Sequence, residues 1–232
     1  MFNLGNWMES GKKIKNLKNI HTNEVAVLVG SGPSIFEENT KKFFEKANKE
    51  KYMYFTNNQA CFLDTDKKMF KTDYHLTSDD NALKKSTKDI LNFNPNKMKI
   101  AAFRRDLCIN QKLGLGFKSK HEVYNKYNFC DLGNKNNIIL EGFANPCLTG
   151  LQVSSIFITL QIILYTGIKK IYLVGCDCNS GNSITKEHAA PYQQCSRGWG
   201  SVYSYLKSNY PKIDIQVVSP KGLKNIIPEY KP

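Results

Sequence analysis

A short apolar run that ends in a glycine-rich turn limits what this chain can fold into. Residues 25–29 read Val-Ala-Val-Leu-Val, and Gly30-Ser31-Gly32-Pro33-Ser34 follows directly. A run without a polar position is typical of a central strand in a parallel sheet, because such a strand is covered on both faces. The run therefore predicts an α/β fold in which this strand lies inside the sheet.

Apolar runs alternate with helical stretches along the rest of the chain. The pattern predicts further strands near 52–56, 73–77, 98–103, 138–140, 170–174 and 213–218, and helices near 35–48, 82–91, 150–165 and 201–208. Strands that alternate with helices form a Rossmann-like parallel sheet flanked by helices, with right-handed crossovers. Gly167 follows a predicted helix, where a left-handed cap is easiest for glycine.

The chain divides into a short N-terminal segment and one domain. Residues 1–22 mix apolar residues with lysines and form a basic amphipathic segment, which either lies on a membrane surface or packs its apolar side on the domain. Residues 23–232 form the single domain. Two polar stretches, 104–136 and 176–197, are predicted lid regions.

Composition favours a cytoplasmic protein with anionic partners. The net charge is +13, which suits phosphates, acidic sugars or an anionic membrane face. No helix-turn-helix, zinc-finger or RNP pattern accompanies the lysines, so nucleic acid is not predicted. The chain shows neither a secretory signal nor an apolar run of about 20 residues. Its seven scattered cysteines suit reduced thiols, and Cys176-Asp177-Cys178 is only a weak zinc signal.

The first candidate ligand segment is Gly30-Ser31-Gly32-Pro33-Ser34, after the first strand. Ligands of open α/β sheets bind beyond the carboxyl ends of the strands. Glycine permits positive φ and lets a ligand approach the backbone, and Pro33 favours the first turn of a helix. The N–H groups at a helix start attract anions. The alternative is an ordinary tight strand–helix turn.

Two further segments occupy equivalent positions along the chain. Asn58 and Gln59 follow the second predicted strand, and their amides can bind ribose and base edges or cap a helix. Thr149-Gly150 begins a long predicted helix, where Thr149 can cap and Gly150 can let a base or phosphate approach. Gly175 and Asp177 follow the next strand, where Asp177 either binds ribose hydroxyls or acts as a structural cap.

Taken together, these segments resemble bacterial lipooligosaccharide sialyltransferases. Gly-Ser-Gly-Pro-Ser at 30–34 resembles their Gly-Asn-Gly-Pro-Ser, and Asn58-Gln59 resembles their Asn-Gln pair. Thr149-Gly150 followed by residues 167–177 is similar to their Ser-Gly, helix and Gly-x-x-Glu-Ile-Tyr-Leu-x-Gly-x-Asp. The resemblance spans roughly residues 24–222.

A broader group shares the pattern: the hydroxymethylpterin pyrophosphokinase-like proteins and the motility accessory factors that glycosylate flagellins. Thr72-Asp73-Tyr74 with Ser78-Asp79-Asp80 resembles the Pro-Asp-Tyr … Asp segment of that group. The resemblance implies a variant GT-A-like fold and a nucleotide-sugar-binding domain over 23–232. It also implies a CMP-sugar donor and no required metal.

The predicted catalytic residues lie in the second lid region. In the sialyltransferases a lid His deprotonates the acceptor hydroxyl and two lid tyrosines hold the leaving phosphate. This chain departs from that pattern: Gln194 stands near the base position, Asn179 and Thr185 replace the tyrosines, and Pro146 stands near an expected arginine.

Three other residues of the second lid region can supply the same chemistry. His188 is the candidate base, and Tyr192 or Arg197 can donate hydrogen bonds to the departing phosphate. His75, next to Asp79 and Asp80, is the rival base.

The leading hypothesis is a glycosyltransferase that modifies a surface glycan or glycolipid, as in lipopolysaccharide biosynthesis, at the inner-membrane surface. The first alternative is a pyrophosphokinase-like enzyme that uses ATP and Mg²⁺ held by Asp79 and Asp80. The second is a non-catalytic nucleotide- or glycan-binding module.

Overall fold

Seven strands of the described residues form one parallel sheet. The computed structural model describes residues 17–77, 93, 95–103, 124–128, 156–178 and 192–232. The strands are β1 (Val25–Val29), β2 (Met53–Asn57), β3 (Tyr74–Thr77), β4 (Met98–Phe103), β5 (Tyr124–Asn128), β6 (Lys170–Val174) and β7 (Asp214–Val217). They lie in the order β5-β4-β3-β2-β1-β6-β7, and every neighbouring pair is parallel. The predicted Rossmann-like fold with a central β1 is confirmed.

Four α-helices are described: α1 (Glu38–Lys49), the single turn α2 (Phe62–Thr65), α3 (Ile156–Tyr165) and α4 (Tyr192–Asn209). The helix predicted at 35–48 is divided in two, because Glu37 is extended (ψ 152°) between a 3₁₀ turn, Pro33–Phe36, and α1. Helix α4 begins at Tyr192, nine residues before its predicted start at 201. The end of the predicted 176–197 lid region is therefore helical.

Helices cover both faces of the sheet, which is why β1 has no polar position. Val27 and Val29 pack with Phe43 of α1 on one face. Ala26 and Leu28 point to the opposite face, where α3 and α4 contribute Phe157 and Trp199. This alternation follows from the two-residue period of a strand. All four of these β1 side chains are completely buried.

The strand order places a topological switch point between β1 and β6. From β1 the sheet grows through β2 to β5 on one side, whereas β6 and β7 lie on the other. Connections that leave in opposite directions open a crevice at the carboxyl ends of the two strands. The segments that follow β1 and β6 are Gly30–Ser34 and Gly175–Asp177, so both predicted segments meet at this crevice.

The sheet ends in two different edges. Among the described strands, β5 pairs only with β4, and it lies inside the predicted lid region 104–136. Its sequence, Tyr-Asn-Lys-Tyr-Asn, has no apolar run to indicate a strand. At the other edge the C-terminal residues pair with β7: the Val217 N–H donates to the Pro228 carbonyl at 2.8 Å, and the Tyr230 N–H donates to the Val217 carbonyl at 2.9 Å.

The described end of the N-terminal segment packs on the domain. The Asn19 and His21 N–H groups donate to the carbonyls of Tyr165 and Thr166, at 3.0 and 2.8 Å, and Leu17 is buried in the core. Gly167 adopts φ +92°, as the predicted left-handed cap requires, and the segment lies against it. Within the described ranges, no helix is long and apolar enough to cross a membrane.

Candidate functional site

The turn after β1 lies directly against the turn after β6. The Gly30 N–H donates to the Val174 carbonyl at 2.8 Å, and the Gly32 N–H donates to the Gly175 carbonyl at 2.7 Å. The 3₁₀ turn begins at Pro33, as the preference of proline for the first helical position predicts. These bonds extend the β1–β6 pairing past the last strand residues and close the bottom of the crevice.

The glycines are needed because the two turns approach so closely. A Cβ on Gly30 would lie 2.5 Å from the Gly175 carbonyl oxygen, and one on Gly32 would lie 2.6 Å from Asp177 Oδ1. Gly32 has an ordinary φ of −75°, whereas Gly175 adopts φ +63°. The predicted reason for Gly30 and Gly32 was positive φ and approach of a ligand. On the side where a Cβ would lie, the space beside both is filled by the neighbouring turn, and the approach of a ligand to their backbone stays a prediction.

Asp177 and Ser34 join the two turns through their side chains. The Ser34 N–H donates to Asp177 Oδ2 at 2.9 Å, and the Ser34 hydroxyl donates to Asp177 Oδ1. Both residues are buried. The carboxylate of Asp177 thus occupies the start of the 3₁₀ turn, where partial positive charge favours an anion. This is the capping alternative for Asp177, and it coexists with a position at the crevice.

Burial raises the pKa of Asp177 above its usual value. The hydrogen bonds from Ser34 and the charge of Lys221 act in the opposite direction, while Glu37 adds to the rise. The carboxylate is therefore held by specific donors in a place that disfavours its charge. The protonation of Asp177 therefore depends on the charges around it, and a further anion in the crevice would raise its pKa.

A third turn, which is not among the predicted ligand segments, completes the crevice. The chain after β7, Ser219-Pro220-Lys221-Gly222, packs against the β6 turn: the Gly222 N–H donates to the Asp177 carbonyl at 2.7 Å. The Ser196 hydroxyl contacts the carbonyl oxygens of Cys178 and Gly222, at 3.1 and 3.3 Å. The turn-forming Ser-Pro-Lys-Gly after the last predicted strand was an available signal, because all carboxyl ends of a parallel sheet share one edge.

On the other side of β1, the end of β2 carries the predicted amides. Asn58 adopts φ +46°, an uncommon conformation that Asn tolerates better than most residues, and Gln59 is buried. The neighbouring Asn57 side chain donates to Thr159 Oγ1 of α3 at 2.8 Å. This hydrogen bond connects the end of β2 to α3, the helix that Thr149-Gly150 precedes in the sequence. Thr149 and Gly150 themselves lie outside the described residues.

The predicted catalytic residues are only partly described. His188 lies outside the described residues. Tyr192 is the first residue of α4, and its side chain is not described; Arg197 is exposed on α4, next to Ser196 at the crevice. The rival base His75 is completely buried on β3, where Nδ1 is 2.9 Å from the Thr56 hydroxyl. Asp79, Asp80, Asn179, Thr185 and Pro146 also lie outside the described residues, as does the side chain of Gln194.

The two cysteines flanking Asp177 are held as thiols. Burial raises the pKa of Cys176, and a hydrogen bond with Cys195 together with burial raises the pKa of Cys178. Zinc binds the thiolate, which this environment disfavours. Within the described ranges, no three His, Cys, Asp or Glu side chains are grouped to hold a metal ion.

Comparison with known proteins identifies a similar fold. No family model and no curated protein sequence matches the chain. Among solved structures, the chain is similar to the MAf glycosyltransferase from Magnetospirillum magneticum AMB-1, with a TM-score of 0.52 and 12% sequence identity. The match covers 96% of this chain and 37% of that protein. It shows that the two proteins share a fold, over about a third of the length of that protein.

Proposed function

We propose that this protein is a glycosyltransferase that moves a sugar from a nucleotide donor to a glycan or glycolipid acceptor. The observation that carries the proposal is the meeting of Gly30–Ser34 with Gly175–Asp177 at the switch point of a parallel sheet. Parallel α/β sheets bind nucleotides at this position. The fold shared with a glycosyltransferase of low identity supports the same class. The protein would act in the cytoplasm at the inner-membrane surface.

The resemblance of the motifs favours a CMP-sugar, hence a sialyltransferase-like reaction without a required metal. In this proposal, His188 takes the proton of the acceptor hydroxyl as that oxygen bonds to the anomeric carbon of the sugar. The bond from the anomeric carbon to the phosphate oxygen breaks, and the nucleotide leaves with the electron pair. Tyr192 and Arg197 donate hydrogen bonds to the departing phosphate.

Binding measurements separate this proposal from its alternatives. Thermal unfolding is followed with CMP, CDP, UDP, GDP and ATP, each with and without Mg²⁺. A ligand at one hundred times its Kd stabilises the folded state by about 2.7 kcal/mol, which a thermal shift detects easily. Stabilisation by CMP without metal supports the proposal. Stabilisation by ATP with Mg²⁺ alone would replace it with the pyrophosphokinase-like reaction.

Turnover of the nucleotide sugar that carries the stabilising nucleotide distinguishes an enzyme from a binding module. His188→Ala is expected to keep nucleotide binding and to lose about 10²–10⁴-fold in kcat, as removal of a general base does. His188→Gln serves as the matched control for shape. Unchanged turnover in both variants would remove His188 from the mechanism, and donor binding without turnover in the wild type would favour the non-catalytic module.

A further inference from the structure

The β7 turn places one lysine over the crevice at the switch point. Lys221 forms an ion pair with Glu37, and its charge also acts on Asp177 across the crevice. Its side chain remains 38% exposed although the ammonium is paired. The turn that carries it is well anchored, because Gly222 bonds to Asp177 and the Ser219 hydroxyl accepts a hydrogen bond from Thr40 at 3.0 Å.

Four backbone N–H groups in and after the β1 turn are already engaged by the protein. Those of Gly30 and Gly32 donate to carbonyls of the β6 segment, that of Ser34 donates to Asp177, and that of Ile35 donates to the Gly32 carbonyl at 3.3 Å. A phosphate at this crevice would lie near the carboxylates of Asp177 and Glu37, while these four donors are already used. A cation is needed to make the approach of a phosphate favourable.

We propose that the ammonium of Lys221 leaves Glu37 and binds the phosphate of the nucleotide donor beside the crevice. This inference rests on the proposed function and adds a binding residue to it. Lysine suits the role as a compact charge with rotatable donors, which can turn from a carboxylate to a phosphate on a flexible stem. Glu37 is 40% exposed at the extended link before α1, so the pair can open without disturbing the core.

The test compares nucleotides with their nucleosides, because only the nucleotide carries phosphate. Binding of CMP and cytidine, UDP and uridine, and GDP and guanosine to the full chain is measured by calorimetry at low ionic strength. Lys221→Gln is expected to weaken nucleotide binding on the order of tenfold and to leave nucleoside binding unchanged. Lys221→Arg should stay within a few-fold of the wild type.

Two further variants make the result specific. Lys224→Gln removes an exposed lysine three positions along the same segment and should leave all affinities unchanged. Glu37→Gln keeps the ammonium and removes a carboxylate beside the phosphate, so nucleotide affinity should stay equal or rise. If the ion pair only stabilised the turn, Lys221→Gln and Glu37→Gln would weaken nucleotide and nucleoside binding alike.

The outcomes separate this inference from the function on which it rests. Full nucleotide affinity in Lys221→Gln would overturn the role of Lys221 and leave the nucleotide site standing. Equal losses in Lys221→Gln and Glu37→Gln, shared by the nucleosides, would assign the pair to the structure of the turn and overturn the inference. A wild-type protein that bound none of the nucleotides would remove the proposed function and this inference together.

Discussion

Asp177 connects the two turns at the switch point, because its carboxylate accepts both hydrogen bonds that Ser34 offers. Both partners are buried, so water cannot replace a bond that is lost. A buried donor without an acceptor costs about 1–3 kcal/mol. The pair therefore adds a buried side-chain link to the backbone bonds that join the two turns.

Replacement of Asp177 by alanine should reduce the stability of the fold. We expect Asp177→Ala to lower the free energy of unfolding by about 2–4 kcal/mol, because it leaves the Ser34 N–H and hydroxyl without acceptors. Urea denaturation measures the loss. Asp66→Ala, at an exposed carboxylate, is the control and should change stability by less than about 0.5 kcal/mol. Equal effects at both positions would show that the Ser34 contacts do not hold the turns together.

The pH dependence of the Asp177→Asn variant follows from the raised pKa of Asp177. A carboxyl group whose pKa is higher in the folded state stabilises the protein when protonated, and this contribution is lost as pH rises through the folded pKa. Asn cannot titrate. The stability deficit of Asp177→Asn should therefore be largest near pH 4 and become smaller towards pH 7, as followed by urea denaturation at both pH values. A deficit that grew with pH would contradict the raised pKa.

The close approach of the turns predicts opposite effects for two glycine substitutions. Gly32→Ala should destabilise by about 1–3 kcal/mol, because its Cβ would lie 2.7 Å from the Gly175 carbonyl oxygen. Gly200→Ala is the matched control: it lies inside α4, and its nearest neighbour, Ile226 Cγ2, is 3.9 Å away. That change should stabilise by about 0.5–1 kcal/mol, since alanine is the better helix former. Thermal unfolding of both variants tests the pair.

At the scale of elements, the end of the N-terminal segment is held on the sheet through His21. Its Nε2 lies 2.8 Å from the hydroxyl of Tyr74, and the two rings pack edge to face. Burial and the charge of Lys97 lower the pKa of His21, while Glu24 and Asp73 oppose the shift. A lowered pKa means that His21 stabilises the fold above its unfolded pKa and loses this effect as pH falls.

The docking of this segment should therefore weaken in mild acid. Between pH 7.5 and pH 5.5, the wild type should lose more stability than His21→Gln, which can still bond to Tyr74 but cannot be protonated. Urea denaturation of both proteins at the two pH values measures the difference. Tyr74→Phe is the complementary control, because removal of the hydroxyl should weaken docking at both pH values. Identical pH dependence in the wild type and His21→Gln would exclude His21 as the responsible group.

At the scale of the whole molecule, the C-terminal residues protect one edge of the sheet. Tyr230 packs edge to face on Phe43 and Tyr172, with ring centroids 5.1 and 5.3 Å away, while its backbone pairs with β7. Exposed strand edges pair with other chains and promote aggregation. The C-terminal residues therefore contribute aromatic packing and cover the edge of β7 at the same time.

Removal of these residues should expose that edge. A chain that ends at Ile227 should have a free energy of unfolding that is roughly 2–4 kcal/mol lower, because aromatic packing and two backbone hydrogen bonds are lost. It should also self-associate more, because the edge of β7 is exposed. A chain that ends at Tyr230 lacks only two exposed residues and serves as the control. Denaturation and light scattering measure the two effects. Equal behaviour of the two chains would show that the edge is not protected by this segment.

Local sequence predicted the interior strands well because a strand that is buried on both faces consists mainly of apolar residues. Strands β1, β4 and β6 have the bounds expected from their apolar runs; β3 begins one residue later than predicted, and β2 and β7 differ by one residue at each end. Strand β5 was missed because an edge strand needs no apolar run. The first half of α4 was missed because its polar residues and glycines indicate a loop, whereas packing of Trp199 on Phe157 stabilises a helix there.

The sequence by itself determined the α/β class, the central place of β1 and the turns that end β1 and β6, since each depends on short-range patterns of burial and turn chemistry. Only the tertiary structure decided what those turns do. Gly30 and Gly32 are required by a neighbouring turn more than a hundred residues away, Asp177 is a partner of Ser34, and the β7 turn adds Lys221. Such contacts depend on strand order, and no local pattern records which strand ends will meet.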